Sequence, residues 1–577
     1  MRRIAIALMI GMAAVSLGAC AAAQNSSSEA AAAETEVETE TEAEAEPATA
    51  EAEPETEAET EPAAEQQAEP AAPETPSGES ETKAAAVLPT VAFDRYSSAE
   101  FENGEMISRC VYETFRLTEE AAAAYPSLDK ALADNIFATK ENYDQYFDEV
   151  EEASKQYLKE YGTGTDTFPA GEIEAHLDVV RCDTDVLSLR ETCYSYNSGA
   201  AHGMTGYEGH NYNAATGEKI LLTDVIADTS ALLPAVAENL TAVADGTPVT
   251  DVEDALKFAF EDGFDNLDWV LEQDGITFMF APSDIAAYAA GPLEAKISFA
   301  RYPSLFTGNY GAGTGSFVRS VNTYGQLSVD LDGDGTRESV SVTGVSDENS
   351  DLGAMKAIRV AVDGEALEAE EYCYTLTSYL VHTDEGANYI YAMTTTDNEY
   401  PKLTVFALNG KTPVKVGEMD GSGIAGTYVE VYEDDGEVDA DGSYIEEYPI
   451  VDPSSFRLST RTNLMSTYSA QRAYKTGGDG MPEPLTEYYD INVSFELTSR
   501  VPLTLEVVDV NSGELTGGTR EVPAGTSFRF LRTNRVDTVD FILDDGTAVR
   551  VKVDAEGSQT INGAKLEEVF DGTIFAG

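Results

Sequence analysis

The stretch with the most readable chemistry is Asp330-Leu331-Asp332-Gly333-Asp334-Gly335-Thr336-Arg337-Glu338. Carboxylates at loop positions 1, 3 and 5 (Asp330, Asp332, Asp334), a glycine at 6, the main-chain carbonyl of Thr336 at 7 and a carboxylate at 9 (Glu338) form the hard oxygen set that Ca2+ takes. An EF-hand would add a bidentate glutamate at position 12, where Ser341 stands, and would have flanking helices. Here residues 324–329 and 339–342 alternate as strands. The expectation is a structural calcium ion in a strand-flanked loop; the alternative is an Asx-rich hairpin turn that binds nothing. A second acidic loop, Asp439 to Ser443, lacks enough spaced ligands and reads as a solvated turn.

Other residue types give weaker signals. His202 and His210 stand eight apart with Glu208 between them, which matches neither a helical His pair nor a common zinc spacing, so they read as hydrogen-bonding structural residues. His176 alternates with apolar neighbours on a strand, and His382 is alone. Neither a Gly-x-Ser-x-Gly elbow nor a Gly-Lys-Ser/Thr phosphate loop occurs, and the expectation is a protein without catalysis. Of the cysteines, Cys110, Cys182, Cys193 and Cys373 allow three pairings. A bond from Cys110 to Cys182 or Cys193 is favoured, with free buried thiols as the alternative. Trp269 and the scattered tyrosines form no aromatic ladder.

These residues must be carried by a chain of 577 with 105 acidic against 35 basic side chains, a net charge of −70. That balance excludes phosphate-backbone recognition, and hence nucleic-acid partners. The composition excludes collagen, coiled-coil and polytopic membrane classes. Arg2 and Arg3 followed by apolar Ile4 to Leu17 have the layout of a signal peptide over residues 1–19. Leu17-Gly18-Ala19-Cys20 resembles the bacterial lipobox, which implies lipid on Cys20, export, and anchoring to the outer face of the cytoplasmic membrane. Residues 20–86 are Ala-, Glu-, Thr- and Pro-rich, with 19 Glu, one Lys and six prolines, and read as a disordered tether of −18. Extended at ~3.1–3.3 Å per residue, it would reach on the order of 200 Å. With +2 on the signal segment, −54 stays on the part expected to fold.

That part divides into elements by periodicity. Extended patterns at Val91 to Tyr96 and Met106 to Leu117 precede a helix from Pro126 to Tyr161. Its Leu128, Leu132, Ile136, Tyr143, Phe147, Val150, Tyr157 and Leu158 recur at helical spacing, and Gly162 ends it. Strands follow at Glu174 to Cys182 and Asp185 to Tyr196. Domains are expected at 87–196 and 197–310, then, beyond the Gly-rich hinge Gly308 to Gly315, a β-rich domain over 316–478 and a C-terminal β domain over 481–577. The fold class is an α+β N-terminal module, an antiparallel sheet with packed helices, followed by all-β domains: propeller-like or sandwich, then a small barrel or sandwich.

One resemblance covers residues 90–306. The Tyr125-Pro126-Ser127-Leu128 helix, the paired strands, the Gly199-Ala200-Ala201-His202-Gly203 run, Asn211-Tyr212-Asn213 with Thr216-Gly217 and Asp224, Gly275 to Phe280, and Tyr288 with Gly291-Pro292 come in the order seen in one family. They resemble the tandem extracellular domains of unknown function in RsiV-type lysozyme-receptor anti-sigma factors and in PdaC-type peptidoglycan deacetylases, ahead of the catalytic domain. The resemblance marks Gly199, Ala201, His202, Gly203, Asn211, Thr216, Gly217, Asp224, Tyr288, Gly291 and Pro292 as motif residues. It implies a binding or sensing module whose partner is a lysozyme-type muramidase or peptidoglycan. A lipobox and tether stand where RsiV has its cytosolic segment and membrane span, which speaks against direct anti-sigma signalling. The alternative is a cell-wall-modifying enzyme, a hydrolase or deacetylase accessory. The Asp330 loop is similar to the strand-flanked calcium loops of integrin-type propellers.

Overall fold

A computed structural model describes residues 87–575, apart from 163–167, 262, 314, 324, 351, 397–399, 433–437 and 556. The signal segment, Cys20 and the acidic tether lie outside the described residues.

The first sheet starts as a hairpin. β1 (Val91–Glu102) returns as β2 (Glu105–Leu117) through Asn103-Gly104, both at positive φ (56° and 85°), the backbone a two-residue hairpin turn requires. Thr118 caps the short α1 (Glu119–Ala124), and α2 (Pro126–Tyr161) starts with proline, whose missing N–H costs nothing there. Leu128, Leu132, Tyr143 and Val150 are its buried stripe, and Gly162 at φ 69° ends it, as the spacing predicts. The helix carries the chain back so that β3 (Gly171–Cys182) lies parallel to β2; β4 (Val186–Tyr196) and β5 (Met204–Asn213) follow antiparallel. Asp183 closes the β3–β4 turn by accepting from the backbone N–H of Asp185 and Val186, each at 2.9 Å.

A second α+β layer follows. α3 (Leu222–Val225), α4 (Thr229–Asn239), β6 (Leu240–Ala242), α5 (Glu253–Glu261), β7 (Asp268–Leu271), β8 (Gly275–Phe280) and β9 (Leu293–Ser298) build a sheet in the order β6-β9-β8-β7. Leu232 and Val236 of α4 and Leu256 of α5 meet Trp269, Ile276, Phe278, Leu293 and Ile297 of the sheet in one core.

Beyond residue 316 the regular elements of the described residues are almost all strands. β11 (Leu327–Val329), β12 (Glu338–Ser346), β13 (Met355–Val362) and β14 (Glu365–Cys373) form one sheet. β10 (Phe317–Ser320), β15 (Thr375–His382), β16 (Asn388–Thr395), β17 (Pro401–Asn409) and β18 (Thr412–Asp420) form the next. Val340, Val342, Ile358 and Val360 of the first pack on Leu380, Ile390 and Phe406 of the second, so the pair is a sandwich. The other face of the second sheet packs on Phe456 and Leu458 of β21 (Phe456–Thr462) and Tyr474 of β22 (Tyr468–Thr476). That double burial is why Tyr389 to Met393 reads as an unbroken apolar run. The intervening hairpin, β19 (Ser422–Tyr432) and β20 (Val438–Tyr448), extends the first sheet: β20 pairs with β1, Tyr444 opposite Tyr96.

The C-terminal strands form no closed barrel among the described residues. Two short strands, Tyr489–Ile491 and Glu496–Ser499, pair with different parts of Ser527–Thr533.

The cysteine pairing is corrected. All four described thiols are free. Cys110 lies opposite Ile173 and Cys193 opposite Ala175, on the two flanks of β3. Two strand spacings separate them, ~9–10 Å, against the ~7 Å that a disulfide allows between Cα atoms. Cys182 lies opposite Leu187. Burial pushes the Cys110 and Cys193 thiols up to about 12.

Candidate functional site

The Asp330 loop joins β11 to β12, which pair with Val329 opposite Glu338. Asp330 Oδ1 and Oδ2 accept from the backbone N–H of Gly333 and Gly335, each at 2.8 Å, and Gly335 takes φ 86°. Glu338, buried, accepts from Leu331 N at 2.9 Å. Carboxylate oxygens of Asp330, Asp332 and Glu338 all lie within 4.8 Å of one another. Asp334 is not in this group; its Oδ1 accepts from Thr336 N at 2.7 Å. The donor set is wholly hard oxygen, which fits Ca2+. Arg337, inside the loop, points away and makes a two-pronged bond to Asp274, Nε to Oδ2 at 2.7 Å and NH2 to Oδ1 at 2.5 Å.

The eleven motif residues separate into two groups. One holds the scaffold together. Asn211 is buried, accepts from Ser188 Oγ at 2.7 Å and Leu271 N at 2.9 Å, and donates to Trp269 O at 3.0 Å, so one amide ties β4, β5 and β7. Thr216 N donates to Asn213 Oδ1, and Gly217 at φ 73° lies so near α2 that a Cβ would stand 2.5 Å from Ser127 O. Asp224 accepts from Leu221 N and caps α3. Gly291 at φ 70° ends the Tyr288–Ala290 turn, and the Pro292 carbonyl accepts from Val243 N at 3.1 Å.

The other group meets at the surface. Gly199 lies against the Tyr157 ring and Gly203 against the Tyr194 ring; a Cβ on either would clash at 2.1–2.3 Å. That close approach lays the loop flat, with Ala201 and His202 exposed. His202 stacks on Tyr288 with ring centroids 3.8 Å apart, and the Tyr288 hydroxyl donates to Gly203 O at 2.8 Å. Tyr194 and Tyr288 are 36% and 38% exposed. Tyr194, His202 and Tyr288 thus form an exposed aromatic face from residues that read in the sequence as scattered. Only the tertiary fold brings residues 202 and 288 together.

His210 is not at this surface. It is buried, its Nε2 lies 2.8 Å from Glu191 Oε2, and Tyr143 of α2 donates to the other oxygen of Glu191. Burial opposes the charge on Glu191, but these two partners hold its carboxyl below the ordinary value. Glu208 lies directly opposite Glu191 across the β4–β5 pair. With His210 they form a second set of metal-capable side chains.

Comparison with known proteins places a family domain inside the second layer. Residues 222–300 match the family model described as a protein of unknown function, DUF3298. Two crystal structures of DUF3298-family proteins are similar to the chain. One, from Bacteroides fragilis NCTC 9343, is 18% identical over 39% of this chain and 96% of that chain, with a TM-score of 0.28. The other, from Pseudomonas aeruginosa PAO1, is 15% identical over 40% and 98%, with a TM-score of 0.25. No curated protein matches the chain.

Proposed function

We propose that this chain is an exported binding module of the bacterial cell envelope, held to the membrane by lipid on Cys20, that contacts peptidoglycan through the Tyr194–His202–Tyr288 face and does no chemistry on it. The observation that carries the reading is that face. Glycines inside the motif flatten the loop onto two tyrosines, which leaves stacked, amphipathic rings exposed, and rings of that kind suit the apolar faces of sugars. The DUF3298-type domain over 222–300 supports the comparison with the tandem modules, and supplies Tyr288. Calcium in the Asp330 loop is a structural part of the proposal.

A second reading, a basic lysozyme-type partner, is favoured by the −54 on the residues after the tether, since complementary charge speeds encounter. The test is co-sedimentation of protein from Val87 onward with insoluble peptidoglycan, beside a lysozyme titration at low and high salt. The wild type is expected in the pellet, and the double variant His202→Ala/Tyr288→Ala to bind roughly thirtyfold more weakly, at about 1 kcal/mol per stacked ring. Muropeptides released during the incubation should be unchanged. Absence from the pellet, with salt-sensitive lysozyme binding, would replace the first reading by the second.

A further inference from the structure

Where the first sheet, the 222–300 layer and the sandwich come together there is a small recess, with a cavity volume of about 40 Å³, walled by residues of β3, β4, β9, β10 and β11. Its charged lining is Arg190, Lys296 and Arg319 against Asp178 and Glu294. The pairing is uneven. Glu294, 7% exposed, is shared by two cations, with Arg190 NH1 at 2.9 Å from Oε1 and Lys296 Nζ at 3.2 Å from Oε2. Arg319 is held by Glu272, which lies outside the lining, at 3.4 Å. Asp178 stands opposite Arg190 in the β3–β4 register, but burial raises its carboxyl above the ordinary value and so disfavours its charge.

Donors are left over on both cations. Arg190 Nε is buried and has no hydrogen-bond partner among the described residues. An ammonium has three N–H donors, and Lys296 spends one on Glu294. Guanidinium and ammonium stand side by side with Glu294 bonded to both, and Glu272 and Asp178 lie farther round Arg190. We propose that this recess binds a small oxyanion, a carboxylate or a phosphate, between Arg190 and Lys296. The fork of Arg190 offers planar two-point recognition and Lys296 a mobile point charge.

The test is titration calorimetry of the full chain with inorganic phosphate and, separately, with acetate, at fixed ionic strength and without divalent cations, so that the Asp330 loop contributes nothing. One-site saturable binding of at least one probe is expected. Lys296→Gln should weaken it about tenfold, the usual scale for a lost hydrogen bond to a charged group. Lys411→Gln, which breaks an exposed pair with Asp363 elsewhere, should leave it unchanged. Should Lys296→Gln fail to fold, Arg190→Lys decides: it keeps the charge, removes the fork, and is expected to weaken binding as well. Tighter phosphate binding assigns the site to a phosphate ester and tighter acetate binding to a terminal carboxylate; either carries the proposal. Saturation by neither probe, or a folded variant at Lys296 or Arg190 that binds as tightly as wild type, would overturn it.

Discussion

Glu272 has no solvent exposure, yet it is charged. Burial opposes that charge, but Arg319, Arg337 and Lys296 outweigh it and hold the carboxyl well below the ordinary range. Thr277 Oγ1 donates to Oε1 at 2.7 Å, and Arg319 and Arg337 each approach to 3.4 Å. A buried ion cluster of this kind adds little net stability over an apolar equivalent, but losing one partner strands the other in a low dielectric. Arg337→Met is therefore expected to cost about 3–5 kcal/mol, measured as a drop in the urea midpoint at unchanged slope. The triple variant Glu272→Met/Arg319→Met/Arg337→Met, which leaves neither Glu272 nor Arg319 buried without its partner, should recover much of it. If the triple variant is as unstable as the single, the cost lies in the Arg337–Asp274 fork and not in an unpaired Glu272. Nothing local marks these roles. Arg337 reads as a spacer between calcium ligands, while its partner Asp274 lies 63 residues earlier, on a turn between two apolar strands.

At the scale of elements, the Asp330 hairpin is a weak pair. β11 contributes only three residues to its ladder with β12, so the acidic loop between them decides how well the hairpin closes. Calcium is expected to stabilise the protein by up to about 2.7 kcal/mol at a hundredfold excess over its dissociation constant, read as a rise in melting temperature. The structure separates the candidate ligands: Asp332→Asn should abolish the calcium-dependent rise, whereas Asp334→Asn, at a carboxylate turned to Thr336 N, should keep most of it. Equal loss in both variants would mean that the loop rearranges around the ion. That Asp330, Asp332 and Glu338 come together was legible because they lie in one short loop, and α2 was legible because Leu128, Leu132, Tyr143 and Val150 follow the helical period with a proline before and a glycine after. The strand Leu515–Val522 was not. All but its last residue are exposed and it includes Gly517-Gly518, so it has no apolar alternation and is a strand only because Leu503–Val508 pairs with it. The Tyr194–His202–Tyr288 face escaped for the matching reason. Its parts are 86 positions apart at the extremes of the stacked pair, and no spacing rule connects a loop after β4 with a turn before β9.

At the scale of the whole molecule, the charge acts on stability as well as on partners. Asp94, Asp178, Glu447 and Asp452 all have carboxyls raised by burial, and His176 is raised first by its hydrogen bond to Glu113. A group whose folded value is raised contributes stability that is complete below its unfolded value and is lost as pH climbs through the folded one. Carboxylates and the imidazole therefore pull the same way here, toward acid. Glu191, Glu272 and Glu294 are lowered, so their contribution holds above the unfolded glutamate value and is lost only as pH falls through their folded values. The two sets bracket a maximum, and the self-repulsion of −54 adds to the alkaline slope because it grows as the last carboxyls ionise. The melting temperature is expected to peak near about pH 5, to decline steadily to pH 8, and to fall sharply below about pH 4. Salt should separate the contributions: 0.5 M NaCl screens surface repulsion but not buried groups, so it should raise the melting temperature at pH 8 and flatten, without abolishing, the decline from pH 5. A melting temperature that rises between pH 5 and pH 8 at low salt would show that these buried carboxyls are ionised at no cost, contrary to their surroundings.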